Sequence, residues 1–225
     1  MSSSVVIAQL IALNKEARQK IIDALENVSR YSHDCEPGVT RYAVCLPSDE
    51  ANEKSIWVIE EYSSKESFDT HMASKPVADL VAYFGANPDL FGGAPDISTS
   101  ESSSSFTRST ATKERKPFIT YASIVYQEDK REDALEGWKY VTSETVKNEP
   151  GTLSYGVYKN KDNDNTVKTV EVYKSEEYFK HVHVPSQAVS QNKEKYGDEI
   201  RLSLQHVFLR LVAGYLARDK STSSL

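Results

Sequence analysis

The sequence predicts an α+β fold built from two tandem ferredoxin-like modules that pair within one chain into an α+β barrel. Three observations carry this expectation: an internal repeat, the same order of strand and helix periodicities in both halves, and a length of 225 residues, which suits two units of about 100 residues each. The repeat is the most direct. Glu36-Pro37-Gly38 returns as Glu149-Pro150-Gly151, a shift of 113 residues, and the strand-like stretches that follow, VTRYAVC and TLSYGVY, match Tyr42 with Tyr155 and Val44 with Val157. At a shift of 111, Glu60, Tyr62, Ser64, Glu66 and Phe68 recur as Glu171, Tyr173, Ser175, Glu177 and Phe179.

Each half opens on a β-rich run, residues 5–13 and 118–126, and continues into helical periodicity. Ala17, Ile21, Ala24, Leu25 and Val28 recur at i, i+4, i+7, i+8 and i+11, with Asn14 placed to cap the start; Ala134, Trp138, Val141 and Thr145 follow the same rule. Both helices must stop before their Pro-Gly, where Pro cannot continue a helix and Gly is expected to supply a positive φ. A hairpin follows, with loops LPSDEANEK and NKDNDN and second strands SIWVIEEY and TVKTVEVY, which are rich in β-branched and aromatic residues. A second helix begins near Lys65 and Ser175, anchored by Phe68 and Phe179, and Pro76 opens a further helical stretch on whose face lie Val77, Leu80, Val81 and Phe84.

Composition places the modules at residues 1–95 and 117–218, joined by a Ser/Thr-rich linker at 96–116 with a short edge strand around Phe106. In the tail, Leu204, Val207, Phe208, Leu211, Val212 and Tyr215 fit a helix, while Leu209, Leu211, Ala213 and Tyr215 fit a strand face; a helix is the expectation for residues 200–211.

The balance of 39% apolar and 27% charged residues is that of a soluble globular protein. A net charge of -6, with no basic run beyond the cluster at 113–116, leaves no footprint for nucleic acid. No stretch approaches the ~18 consecutive apolar residues of a membrane span, and the apolar N-terminal run lacks the basic flank and cleavage site of a signal. Cys35 and Cys45 read as free thiols of a reducing, cytoplasmic setting. The absence of a phosphate-binding loop, dinucleotide fingerprint or nucleophile elbow disfavours nicotinamide, flavin and nucleotide chemistry.

With Glu-Pro-Gly after the first helix and EEYSSKESFDTH at the strand-to-helix junction, the unit resembles the antibiotic biosynthesis monooxygenase domain. Glu60, Tyr62, Phe68 and His71 stand where that family's strand-end acid and aromatic, helix aromatic and helix His would stand. The resemblance implies a cofactor-free monooxygenase of secondary metabolism acting on a small aromatic or polyketide-type molecule and O2. A single axial His leaves haem open. His71 is then the candidate base and Glu60 its orienting acid, with Tyr42, Trp57, Tyr62 and Phe68 as substrate-binding candidates, although such aromatics are core by default.

Counting eleven residues from Glu171, as from Glu60 to His71, reaches Val182, so a degenerate second site is the expectation. The flanking His181 and His183 project about 200° apart on a helix, and no metal site is expected there. A cyclase or isomerase using the same pocket, or a non-catalytic binding or structural barrel, are the alternatives. Fusion replaces a homodimer by intramolecular pairing and leaves self-association through the apolar C-terminal face open.

Overall fold

The computed structural model of the protein describes residues 3–197 and 199–218. The chain divides into two compact units, Met1–Thr99 with Arg210–Leu225, and Ser100–Leu209. Unit 1 holds β1 (Ser4–Ile11), α1 (Lys15–Cys35), β2 (Val39–Pro47), β3 (Ser55–Tyr62), α2 (Lys65–Met72) and α3 (Lys75–Ala86). Strand β4 (Asp96–Thr107) divides between the units. Unit 2 holds β5 (Phe118–Tyr126), α4 (Arg131–Asn148), β6 (Thr152–Asn160), β7 (Thr166–Tyr173), α5 (Glu176–Tyr178, continuing as a π-helical turn over Phe179–His183) and α6 (Gln187–Tyr196). The last strand, β8 (Arg201–Tyr215), again divides between the units. The strands follow one closed antiparallel order, β1-β3-β2-β8-β5-β7-β6-β4, so the fold class is the α+β one that the sequence predicts.

The local causes are largely those expected. The Asn14 side chain accepts from the Ala17 amide at 2.9 Å and starts α1, which buries Ala17, Ile21, Ile22, Leu25 and Val28. These pack on Tyr42, Val44, Ile56, Val58 and Tyr62 from one face of the unit 1 sheet. Because side chains alternate along a strand, Trp57 and Ile59 belong to the other face. In α3, Val77 is buried and Leu80 and Phe84 are half-buried, but Val81 points to solvent.

Three expectations need correcting. Of residues 200–211, all but the first, which lies in a turn, are strand and not helix: β8 pairs with β5 from Ile119 with Leu209 to Tyr126 with Arg201, with a register shift between Val125 and Tyr126, and this ladder overrides the helical spacing of its leucines. Residues 96–107, read as linker with a short edge strand, form the twelve-residue β4, paired with β6 from Ser100 to Thr107. Finally, Gly38 and Gly151 do not adopt positive φ; Gly214 is the glycine that does among the described residues. They are needed for close approach. A Cβ on Gly38 would lie 2.1 Å from Ser67 Oγ, and one on Gly151 would lie 2.5 Å from the Tyr178 ring. Among the described residues, no helix is long and apolar enough to cross a membrane.

Candidate active site

The Glu-Pro-Gly turn brings the end of α1 against α2. Glu36 is the residue that caps α1, and its carboxylate accepts a 2.8 Å hydrogen bond from His71 Nδ1. The Ser32 hydroxyl is 3.3 Å from the same nitrogen. His71 is 2% exposed and Glu36 8%, so this is a buried pair. A carboxylate can only accept, which puts a proton on Nδ1. The imidazole lies against Tyr42 and Tyr62, with ring centroids 5.9 and 5.5 Å away, and Phe68 meets Tyr62 edge-on at 5.2 Å.

His71 itself does not line the neighbouring cavity. That cavity, of about 300 Å³, is walled by Leu10, Leu25, Val58, Leu80, Phe84 and Phe91, and its polar lining residues are Tyr42 and Glu60. Glu60 therefore faces the cavity, and the Tyr42 ring separates the cavity from His71. Glu60 is half-buried and takes a short hydrogen bond from the Tyr62 hydroxyl. Burial raises the pKa of its carboxyl above the ordinary value, against the opposing effects of that hydrogen bond and of His71. Burial also holds the Tyr42 and Tyr62 phenols well above their ordinary range.

Of the residues singled out in the sequence, Glu60, Tyr42, Tyr62, Phe68 and His71 come together, and Trp57, on the opposite sheet face, does not join them. Glu36 was missed as a side-chain partner although its signal was present, a Glu returning at the same place in both repeats.

The second unit corrects the expectation of a lost His. His183, not Val182, stands where His71 does: its Nδ1 is 2.9 Å from Glu149 Oε2, and its ring lies 5.4 and 5.2 Å from those of Tyr155 and Tyr173. His183 is buried, whereas His181 and Val182 are exposed. The π-helical turn at Phe179–His183 absorbs the one extra residue and carries the imidazole to the position that its counterpart reaches on a regular helix. Burial of Glu149 favours its neutral form, but the hydrogen bonds from His183 and Thr152 and the charge of His183 prevail, and its pKa is lowered.

The strand-end acid of this unit differs. Glu171 accepts from Thr120 at 2.8 Å, Thr169 at 2.9 Å and Tyr173 at 2.7 Å. The residue opposite Glu60 on β1 is Val6 where Thr120 lies opposite Glu171, and two residues before Glu60 is Val58. Trp138, Asn192 and Tyr196 hold the places of the cavity-lining Leu25, Leu80 and Phe84. Among the described residues, no group of three or more His, Cys, Asp or Glu is placed to hold a metal ion.

The model of the antibiotic biosynthesis monooxygenase family matches residues 4–83 and 117–189. No curated protein sequence matches the chain. Among solved structures, a protein of Lactobacillus acidophilus NCFM named as a monooxygenase is 19% identical, with a TM-score of 0.79 over 97% of this chain and 100% of that one. One of Fusobacterium nucleatum, named likewise, is 16% identical with a TM-score of 0.81, covering 97% and 98%. An anthrone oxidase-like protein is 12% identical with a TM-score of 0.63, covering 99% and 97%. At these identities the three structures establish the fold. The family match extends over both repeats and most of the chain, and the protein belongs to the antibiotic biosynthesis monooxygenase family.

Proposed function

We propose that unit 1 binds a small aromatic or polyketide-type molecule in the cavity beside Glu60 and oxidises it with O2, without a bound cofactor. The observation that carries this reading is Glu60 itself: a carboxyl on the wall of an apolar cavity, with a raised affinity for protons and Tyr62 as its hydrogen-bond partner. A buried carboxyl lacking partners is costly to stability, and in unit 2 threonine hydroxyls satisfy the equivalent group. A ligand hydroxyl or acidic C–H would take the place of those hydroxyls. Among the described residues, the cavity lining includes no Lys or Arg, which favours an uncharged ligand over an anionic one.

The chemistry follows from that placement. Glu60 accepts a proton from an activated CH2 or phenol, and a base whose pKa is raised toward the operating pH is the more effective one. The resulting anion gives an electron to O2 and the radical pair combines to a hydroperoxide. Loss of water then leaves a carbonyl, so that CH2 and O2 become C=O and H2O. The four electrons that O2 takes up are those of the two C–H bonds broken, and no external reductant is required. The Glu36–His71 pair stands behind Tyr42 and Tyr62, where its charge and orientation act on Glu60.

The test is incubation of the purified protein with anthrones and polycyclic phenols, aerobically and anaerobically, with 18O2 labelling of the product carbonyl. Oxygen-dependent turnover with one labelled oxygen in the product and no added reductant supports the reading. Oxygen-independent conversion would point instead to a cyclase or isomerase, and binding without turnover to a non-catalytic barrel.

A further inference from the structure

We infer that Arg218 is a positioning residue for the Glu36–His71 pair, delivered to unit 1 by the chain that follows β8. The inference rests on the reading that this pair serves the site. The guanidinium gathers the carbonyls at the end of α1 and the turn beyond it. Its Nε donates to Val39 O at 2.6 Å, Nη1 to His33 O at 2.8 Å, and Nη2 to Glu36 O at 2.8 Å and to Ser32 O. It also lies 5.2 Å from the centroid of the Tyr215 ring, whose hydroxyl donates to Val39 O at 2.9 Å.

The last carbonyls of a helix have no partner within it and carry its negative end, so a forked cation is the side chain best suited to hold them. Glu36 is held at both ends: its carbonyl by Arg218 and its carboxylate by His71. Rotation of the main chain at Glu36 would swing the carboxylate away from Nδ1, and Arg218 opposes that rotation.

An independent observation supports the assignment. In unit 2, Arg108 does the same for Glu149, with Nε donating to Thr152 O at 2.9 Å and Nη2 to Val146 O at 2.6 Å and Glu149 O at 3.4 Å. Val146, Glu149 and Thr152 correspond, each at a shift of 113, to His33, Glu36 and Val39. Arg108 too lies over an aromatic ring, Phe106, at 5.1 Å. The two arginines follow their aromatics by two and three residues, in unlike sequences. Two different local sequences therefore arrive at one contact set, on the turn that carries the pair's carboxylate.

The test is 1H–15N NMR of the histidine side chains in the full chain, which needs no substrate. A proton held between Nδ1 and a carboxylate gives a downfield, slowly exchanging signal, assigned through Glu36→Gln for His71 and Glu149→Gln for His183. Arg218→Ala is expected to abolish the His71 signal or speed its exchange at least tenfold while leaving that of His183 intact. Arg108→Ala is expected to do the reverse, and Arg218→Lys, which keeps the charge without the fork, to fall between. An unchanged His71 signal in Arg218→Ala, or loss of both signals together in either variant, would overturn the inference. If Arg218→Ala does not fold, the same comparison is decided on Arg218→Lys. Because the readout is spectroscopic, the positioning role can fail while the enzymatic reading stands, and the reverse.

Discussion

The two repeats hold the same four groups, a helix-capping Glu, a helix His, a strand-end Glu and its neighbouring Tyr, yet they surround the two carboxylates differently. In unit 2, Thr152 donates to Glu149, and Thr120 and Thr169 donate to Glu171. At the three equivalent places unit 1 has Val39, Val6 and Val58. Among the described residues, one oxygen of Glu36 is buried without a hydrogen-bond partner, and Glu60, on the wall of a cavity, accepts from Tyr62. Three hydroxyls thus separate a module whose two acids accept from threonines from one whose two acids do not.

The largest effects expected are those of removing an imidazole. His71→Ala leaves the buried Glu36 carboxylate unpaired and should cost about 3–5 kcal/mol of stability, measured by urea unfolding. His183→Ala leaves Glu149 its hydrogen bond from Thr152 and should cost less, and only His71→Ala lowers turnover. Equal costs would mean that the Thr152 hydroxyl does not distinguish the two pairs.

Next comes exchange of the hydroxyls. Thr120→Val with Thr169→Val should destabilise unit 2 by about 1–3 kcal/mol per lost partner of Glu171, read by thermal melting. Val6→Thr with Val58→Thr should lower the proton affinity of Glu60. The acid limb of the pH–rate profile then moves to lower pH and the plateau rate falls, because the base is weaker.

Alanine at Gly151 drives a Cβ into the Tyr178 ring, and at Gly38 to within 2.6 Å of the Ser67 Cβ, which no rotation of that side chain moves. Losses of about 1–3 kcal/mol are expected for both Gly151→Ala and Gly38→Ala, measured by thermal melting. Unchanged melting in either variant would mean that close approach is not what that site requires.

The smallest effect is on the pH dependence of stability. Glu60 has a raised folded pKa, so its contribution is fully present below the ordinary carboxyl value and is lost as pH rises through the folded one. Glu149 has a lowered one, so its contribution is present above the ordinary value and lost as pH falls through the folded one. Urea unfolding across pH should show Glu60→Gln more stable than the wild type at neutral pH, and Glu149→Gln flattening the acid limb.

Much of this was legible in the residues. The repeat, the capping Asn14, both hairpins and the cluster of Glu60, Tyr62, Phe68 and His71 follow from spacing and from the family's motif. The facing of Trp57 was legible too, because it stands at odd spacing from Glu60 and Tyr62 on one strand. What escaped is what spacing along the chain does not carry. His183 was hidden by a one-residue insertion that only a π-helical turn can absorb. β8 has a leucine spacing compatible with either period and becomes a strand through its partner β5. The roles of Glu36 and Arg218 depend on contacts between residues far apart in sequence.

The most direct test of the asymmetry is oxygen uptake by Glu60→Gln and Glu171→Gln, measured side by side on a substrate the wild type turns over. Glu60→Gln should lose at least about a hundredfold in rate, with Glu171→Gln losing stability and keeping its turnover. Equal losses in the two variants, or a Glu60→Gln protein as active as the wild type, would contradict the account.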